Sequence, residues 1–296
     1  MKYQSIKSLK YYFTPLVCFG NLLSIAQTQS NTPIDVNFNS DGFLLKGKFY
    51  SAEGHGPFQT TLLMQGFPGD EDDVLGLCDK ISDAGINAFT FNVRGTHKSE
   101  GEFSFRNTLQ DIQSVIEYIH KGEIVKRFKI DTSNIVLGGY SFGGGISLVF
   151  AANQPEIKRI ISIAGTDHGE ITREYVRNNS FAEVLNDVLD SCKAPEGAVR
   201  FEGHTAMQEL IEDIDYYDLR LCAPNLAQKE ILLLGGWDDV NVTVDNQLLP
   251  LYRALKKENA QNVKFIVYQT DHSFSNVRNE LAEDIIKWLK AKSVED

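Results

Sequence analysis

The chain has 296 residues, of which 42% are hydrophobic, and it carries a net charge of −11. This length is sufficient for one large domain with a well-buried core. The excess of acidic side chains disfavours binding to nucleic acid and to anionic membranes, so we expect neither as a partner. Three cysteines, Cys78, Cys192 and Cys222, lie beyond residue 26. An odd number without paired spacing predicts free structural thiols, although Cys192 and Cys222 could pair in an oxidising compartment.

Residues 1–26 have the composition of a cleaved secretory signal peptide. Three lysines precede a mostly apolar run over residues 11–25, and Ser24 and Ala26 are small residues at the positions that a signal peptidase reads. The apolar run is shorter than the ~20 residues of a membrane span. We therefore predict a secreted or periplasmic protein, with a retained N-terminal membrane anchor as the alternative. Cleavage would leave 26 basic and 40 acidic side chains, a net charge of −14.

The predicted elements begin with two strands, Ile34–Phe38 and Phe43–Tyr50, which a turn joins into a hairpin. Helices and strands alternate after this hairpin. Strands are predicted over residues 60–65, 88–93, 134–137, 159–164, 230–234 and 263–269, and helices over 72–84, 108–120, 144–152, 247–258 and 279–290. Eight strands in this arrangement predict an α/β fold with a mostly parallel sheet and helices on both faces.

Residues 166–228 interrupt this alternation. They contain no clear buried strand, several helical segments and many charges. A connection of about sixty residues is too long for a simple loop. We therefore predict a helical cap that is inserted between two parts of one core, residues 27–165 and 229–296, and that lies over the carboxyl edge of the sheet.

A Gly-x-Ser-x-Gly pattern, Gly139–Gly143, lies between the predicted strand 134–137 and the predicted helix 144–152. This is the sequence context of a nucleophile elbow, in which a serine occupies a strained turn between a strand and a helix. The flanking glycines leave room for the strand and the helix to approach each other. Ser141 is therefore the predicted nucleophile.

A serine nucleophile needs a base that accepts its proton and an acid that orients the base. Asp239 follows a predicted strand and His272 follows the last one, in the chain order serine, acid, histidine that this architecture requires. Asp239 is preferred over its neighbour Asp238, which remains the alternative. Among the other histidines, His168 is a candidate for substrate contact because it closely follows the sixth strand, although a packed or solvated side chain is favoured.

The tetrahedral oxyanion of acyl transfer needs two preorganised N–H donors. One predicted donor is the amide of Phe142, which directly follows the nucleophile. The other is the amide of Phe67, in the turn Gln65–Gly69 after the third strand. Gly66 and Gly69 allow the backbone of this turn to lie close to a ligand.

Arg94 follows the fourth predicted strand, in the segment Asn92–Gly95. An arginine at this edge of the sheet could indicate an anion-binding site. A buried structural ion pair is the favoured interpretation, with Asp111 in the next predicted helix as the partner.

Together these residues resemble the α/β-hydrolase superfamily, and more closely the stand-alone bacterial hydrolases related to its prolyl-oligopeptidase and dienelactone-hydrolase branches. The resemblance covers about residues 60–165 and 230–289. Besides the elbow, the motifs that carry it are Gln65–Gly69, Asn92–Gly95, Ser99–Phe105 and Asp271–Phe274. The family usually has histidine where this chain has Gln65. The residues of the cap match no pattern of the family.

The resemblance implies an α/β-hydrolase fold and a site that needs neither a metal nor a cofactor. It implies Ser141 as nucleophile, Asp239 as orienting acid and His272 as base, with an oxyanion hole formed by the amides of Phe67 and Phe142.

The predicted function is the hydrolysis of carboxylic esters by a serine hydrolase through an acyl-enzyme intermediate. The alternative within the same chemistry is a peptidase or amidase that acts on short peptides. An acidic pocket in the cap that binds a free amino terminus would favour the peptidase, and an apolar tunnel would favour the esterase. The cap acids Glu170, Glu174 and Asp213 could form such an acidic pocket, although a solvated surface is the favoured role for them. An alternative of another class is a non-catalytic binding protein on a hydrolase scaffold, which would have an incomplete triad.

Overall fold

The computed structural model of the protein describes residues 32–291, so the predicted signal peptide lies outside the described residues. Eight strands form one sheet. They are β1 (Ile34–Ser40), β2 (Phe43–Tyr50), β3 (Phe58–Met64), β4 (Asn87–Asn92), β5 (Ile130–Tyr140), β6 (Arg159–Ile163), β7 (Glu230–Gly236) and β8 (Val263–Tyr268). Their order across the sheet is β1-β2-β4-β3-β5-β6-β7-β8. The pairs β1–β2 and β2–β4 are antiparallel and all others are parallel, which confirms the predicted sheet.

Ten α-helices lie around the sheet within residues 32–291. They are α1 (Leu77–Asp83), α2 (Phe105–Ile119), α3 (Gly122–Phe128), α4 (Phe142–Ala152), α5 (His168–Arg177), α6 (Asn179–Cys192), α7 (Gly203–Glu212), α8 (Leu219–Leu226), α9 (Leu249–Lys257) and α10 (Arg278–Lys290). Helices α1 and α10 pack on one face of the sheet, whereas α2, α4, α8 and α9 pack on the other. Every residue of β4 and β6 is therefore buried, as expected for strands covered on both faces. None of these helices is long and apolar enough to cross a membrane.

The start of α1 differs from the prediction, because the helix begins at Leu77 rather than near residue 72. The side chain of Asp73 explains the later start. Its two carboxylate oxygens accept hydrogen bonds from the amides of Cys78, at 2.7 Å, and Asp79, at 3.0 Å. These bonds satisfy N–H groups that have no partner within the first turn of a helix.

Arg94 and Asp111 form the buried ion pair that the sequence predicts. Arg94 Nε lies 2.7 Å from Asp111 Oδ1, and the Arg94 amide donates to Asp111 Oδ2 at 2.7 Å. Ser40 Oγ also donates to Asp111 Oδ1. Burial raises the pKa of the Asp111 carboxyl from its usual value, and the bonds from Arg94 oppose that rise. The pair joins the loop after β4 to α2, so Arg94 has a structural role.

The segment 166–228 contains four helices, α5 to α8. Helix α8 packs against α4, the helix of the elbow. The stretch between α6 and α7 runs beside the loop that follows β4. There the His97 amide donates to the Ala198 carbonyl at 2.8 Å, and the Arg200 amide donates to the Gly95 carbonyl at 2.7 Å. These contacts attach the segment to the carboxyl edge of the sheet.

Candidate active site

Ser141 lies in the tight turn between β5 and α4. Its φ of 53° and ψ of −118° are strained for a residue with a side chain. Gly139 and Gly143 allow this turn because a Cβ atom at either position would collide with backbone. A Cβ at Gly139 would lie 2.5 Å from the Gly143 carbonyl carbon, and one at Gly143 would lie 2.5 Å from the Gln65 oxygen. The turn therefore has the close strand–helix approach of a nucleophile elbow.

The structure brings Ser141, His272 and Asp239 into one hydrogen-bonded chain. Nε2 of His272 lies 3.0 Å from Ser141 Oγ, and Nδ1 of His272 lies 2.7 Å from Asp239 Oδ2. Because an ionised carboxylate only accepts hydrogen bonds, it favours the histidine tautomer with its proton on Nδ1. Nε2 then has a free lone pair directed at the serine hydroxyl.

Asp239 rather than Asp238 contacts the histidine. Asp239 is 3% exposed, and its second oxygen accepts the amides of Asn241 and Val242, both at 2.8 Å. Asp238 is exposed, and its carboxylate accepts a bond from the side chain of Gln269 at 2.7 Å. Two backbone bonds fix the orientation of the Asp239 carboxylate.

Tyr140 is a residue of the site that the sequence analysis did not single out. Its hydroxyl donates to the backbone carbonyl of His272 at 3.0 Å, and the two rings lie 5.0 Å apart. Burial raises the pKa of Tyr140 to about 12, so the hydroxyl keeps its proton at neutral pH. Its place directly before the nucleophile is the signal that could have identified it. Tyr140 holds the histidine loop against the elbow.

The two residues predicted to form the oxyanion hole both lie beside the serine, and their rings are 5.9 Å apart. Phe142 is the first residue of α4, where backbone N–H groups have no partner within the helix. The loop with Phe67 lies beside Ser141, since a Cβ at Gly66 would lie 3.4 Å from the Ser141 Cβ. Gln65 supports this loop because its side-chain amide donates to the Asp72 carbonyl at 2.9 Å.

Aromatic side chains surround the predicted oxyanion loop. The ring of Phe67 lies 5.0 Å from Phe103, 5.9 Å from Phe142 and 5.8 Å from Phe201. Phe201 belongs to the stretch between α6 and α7. The predicted cap therefore contributes a buried ring that supports Phe67 from behind.

His168 lies behind the elbow and is 5% exposed. Its Nε2 lies 3.5 Å from the Phe142 carbonyl oxygen, and its ring packs edge-on against Phe105 and Phe142. Burial lowers the pKa of His168 to about 4, so the ring is neutral at pH 7. It packs the start of α5 against the elbow, which is the packing role favoured for it from the sequence.

The described residues offer no group of three or more His, Cys, Asp or Glu side chains that could hold a metal ion. Within residues 32–291 the three cysteines are free thiols, and Cys78 and Cys222 are buried. Burial raises the pKa of both buried thiols, which keeps them protonated. These cysteines therefore pack as small apolar side chains.

A sequence model of the prolyl oligopeptidase family matches residues 79–295. This match spans most of the chain and includes all three residues of the hydrogen-bonded chain. The protein belongs to the prolyl oligopeptidase family.

Two curated proteins match part of the sequence of this chain. One is an uncharacterized 31.7 kDa protein in the traX-finO intergenic region of Escherichia coli, 30% identical over 177 residues, which are 56% of this chain and 58% of the relative. The other is a polyketide transferase of a Penicillium species, 29% identical over 136 residues, which are 44% of each chain. The chain thus spans about half the length of the curated relatives it matches.

Solved structures share the fold. An acylaminoacyl peptidase from Pyrococcus horikoshii aligns with a TM-score of 0.63 and 17% identity, over 89% of this chain and 43% of that one. An esterase from Pyrococcus furiosus aligns with a TM-score of 0.62 and 15% identity, over 88% and 91%. Est1E from Butyrivibrio proteoclasticus aligns with a TM-score of 0.59 and 13% identity, over 86% and 97%. At these identities the likeness shows the α/β-hydrolase fold.

The cap acids that could have bound a free amino terminus are paired with arginines in this family member. The pairs are Glu170–Arg220 at 3.0 Å, Glu174–Arg177 at 2.6 Å and Asp213–Arg106 at 2.8 Å. Their negative charge is therefore largely compensated, for Glu170 and Glu174 by arginines of the same segment and for Asp213 by Arg106 of α2.

Proposed function

We propose that this protein is a serine hydrolase that cleaves carboxylic esters, with Ser141 as nucleophile, His272 as general base and acid, and Asp239 as the acid that orients the histidine. The observation that carries the proposal is the continuous hydrogen-bonded chain from Asp239 through His272 to Ser141. Acyl transfer by serine requires a base within hydrogen-bond reach of the nucleophile and a third group that orients this base.

In the proposed reaction, Ser141 Oγ attacks the ester carbonyl while Nε2 of His272 takes the hydroxyl proton. The amides of Phe67 and Phe142 stabilise the oxyanion of the tetrahedral intermediate. His272 then gives its proton to the departing alkoxide, which leaves an acyl group on Ser141. Water, deprotonated by His272, attacks this acyl-enzyme and releases the carboxylic acid.

Two observations favour esters over peptides with a free amino terminus. The cap acids Glu170, Glu174 and Asp213 are paired with arginines, so recognising an ammonium group would require breaking these pairs. The partly exposed ring of Phe67, which the buried rings of Phe103 and Phe201 support from behind, makes this side of the site apolar, which suits an acyl chain. The family name supports the runner-up, a peptidase or amidase acting on short peptides.

A matched substrate panel tests the choice between ester and peptide. N-acetylalanine methyl ester, N-acetylalanine methylamide and alanyl-alanine amide differ in the scissile bond and in the free amino group. We expect kcat/KM of about 10⁴ M⁻¹ s⁻¹ or more for the ester. For both amides we expect no turnover above that of the Ser141→Ala variant. Faster turnover of alanyl-alanine amide than of the ester would contradict the ester proposal and favour the peptidase.

A further inference from the structure

A polar cavity of about 570 Å³ lies on the face of the sheet that α1 covers only in part. Side chains in two neighbouring cross-strand rows of β1, β2 and β4 form its floor. The first row contains Asn37, Lys46 and Asn92, and the second contains Asp35, Lys48 and Thr90. The loop 70–72 and Lys98 form the walls. Neither Ser141 nor His272 lines this cavity, so it is distinct from the hydrogen-bonded chain of the candidate active site, although Gln65 of the predicted oxyanion loop contributes to its wall.

The position of α1 explains why this part of the sheet is open. Helix α1 begins at Leu77 and packs over Tyr50 and Ala88, the next row along the same face. The rows of Lys48 and Lys46 lie beyond the helix, where polar side chains replace the apolar core. A sheet face within a core is normally apolar, so a polar floor here indicates a solvent-filled or ligand-filled site.

Two polar atoms of the floor have no hydrogen-bond partner within the described part of the chain. They are Asn92 Oδ1 and Thr90 Oγ1, in side chains that are 7% and 2% exposed. Buried polar atoms are almost always hydrogen-bonded, so each of these is expected to take a partner from outside the protein, a water or a ligand group. Asn92 Oδ1 can only accept, and it therefore requires a donor.

The charged groups of the cavity are only partly matched. Lys48 pairs with Asp72 at 2.8 Å and Lys98 pairs with Glu71 at 2.9 Å. Among residues 32–291, Lys46 makes no ion pair, and its neighbour in the same row on β4 is the uncharged Asn92. Asp35, diagonal to Lys46 on the same face, also makes no ion pair in this part of the chain. The other carboxylate outside the ion pairs, Asp70, accepts the Asp72 amide at 2.7 Å. The cation of Lys46, the carboxylate of Asp35 and the unpaired acceptor of Asn92 thus lie in neighbouring rows of the floor.

We propose that this cavity binds a small zwitterion, a ligand with a primary ammonium and a carboxylate such as an amino acid or a dipeptide. The carboxylate of the ligand contacts Lys46 and its ammonium faces Asp35. The ammonium also donates to Asn92 Oδ1 once the Asn92 side chain turns that atom toward the cavity. A ligand that carries both charges gives a partner to Lys46, to Asp35 and to Asn92 Oδ1. Because its own charges cancel, it adds no net charge beside the acidic loop 70–72. A ligand with one charge leaves either the cation or the acceptor unmatched.

Titration calorimetry on the full-length chain with Ser141→Ala tests this proposal, because that variant removes turnover and keeps the measurement independent of the proposed ester chemistry. The probes are glycylglycine, N-acetylglycine, which lacks the ammonium, and glycinamide, which lacks the carboxylate. We expect saturable binding of glycylglycine and at least about tenfold weaker binding of each singly charged probe, since a charge-assisted hydrogen bond typically contributes a factor of this size.

Two further variants locate the binding. Lys46→Gln removes the free cation and is expected to weaken glycylglycine binding by about tenfold or more. Lys126→Gln makes the same change at an exposed position of α3 outside the cavity, and is expected to leave binding unchanged. The absence of saturable glycylglycine binding would overturn the proposal. Equal binding of glycylglycine and glycinamide, or an equal effect of the two lysine variants, would overturn it as well.

Discussion

Asp239→Asn is expected to lower kcat for ester hydrolysis by about 10⁴ while leaving the fold intact. The Oδ1 atom of Asp239 accepts two backbone amides, from Asn241 and Val242. An asparagine would keep its oxygen there and would turn its NH₂ group toward His272 Nδ1. That group can only donate, so the histidine would have to carry its proton on Nε2. The lone pair that accepts the Ser141 proton would then be lost.

Asp238→Asn is the matched control for this prediction. The same chemical change one residue earlier affects an exposed carboxylate that bonds Gln269 rather than the histidine. We expect its kcat to stay within about twofold of wild type, as for a surface change away from the reacting atoms. Steady-state kinetics with an activated ester, with circular dichroism to verify folding, measures both. A large loss in Asp238→Asn with an active Asp239→Asn would reverse the assignment.

Asp111→Ala is expected to lower the free energy of unfolding by about 3–5 kcal/mol. The change removes the carboxylate that bonds both the side chain and the amide of Arg94. Arg94 is 2% exposed, so its charge would remain buried without its main partner. Urea denaturation followed by tryptophan fluorescence gives the size of the loss.

Asp41→Ala controls for the general effect of removing an acid near Arg94. Asp41 lies 3.4 Å from Arg94 Nη1, but its side chain is 60% exposed. Solvent screening limits such a pair to about 0–1 kcal/mol. Similar losses in Asp41→Ala and Asp111→Ala would mean that burial does not determine the contribution of the Arg94 pair.

The sequence predicts the sheet and the location of Ser141 because those patterns are local. Buried strands have uninterrupted apolar runs. The glycines of the elbow indicate that the strand before them and the helix after them approach closely, and this involves only residues near Ser141 in the chain. His272 and Asp239 are predictable for a related reason. Parallel strands bring their carboxyl ends to one edge, so residues directly after strands converge whatever their separation in the chain.

Other features depend on contacts that local patterns do not contain. Helix α3 is missing from the predicted elements, because seven residues carry too little periodicity to be distinguished from a loop. Its Phe128 stacks on Phe49 at 3.8 Å, a contact between residues far apart in the chain. The ion pairs of segment 166–228 also include contacts between distant residues. Arg106 in α2, for example, pairs with Asp213 at the end of α7. Tertiary packing determines these features.

The helix boundaries show how a single side chain can override periodicity. The apolar spacing after β3 allows a helix from about residue 72, but the helix starts later, where the amides of Cys78 and Asp79 donate to the Asp73 carboxylate. Helix α2 begins at Phe105, three residues before the predicted start, because Ser104 Oγ accepts the Asn107 amide at 3.1 Å. Capping decides where a helix starts, whereas periodicity shows only that it exists.

The central claim is that Ser141 is an activated nucleophile, and intact-mass measurement after exposure to a fluorophosphonate tests it most directly. Wild type and two variants are compared, Ser141→Ala and Ser133→Ala, the latter at an exposed serine near the start of β5. We predict a single adduct on wild type and on Ser133→Ala, mapped by peptide analysis to Ser141, and none on Ser141→Ala. A folded wild-type protein without an adduct, or an adduct that persists in Ser141→Ala, would contradict the account.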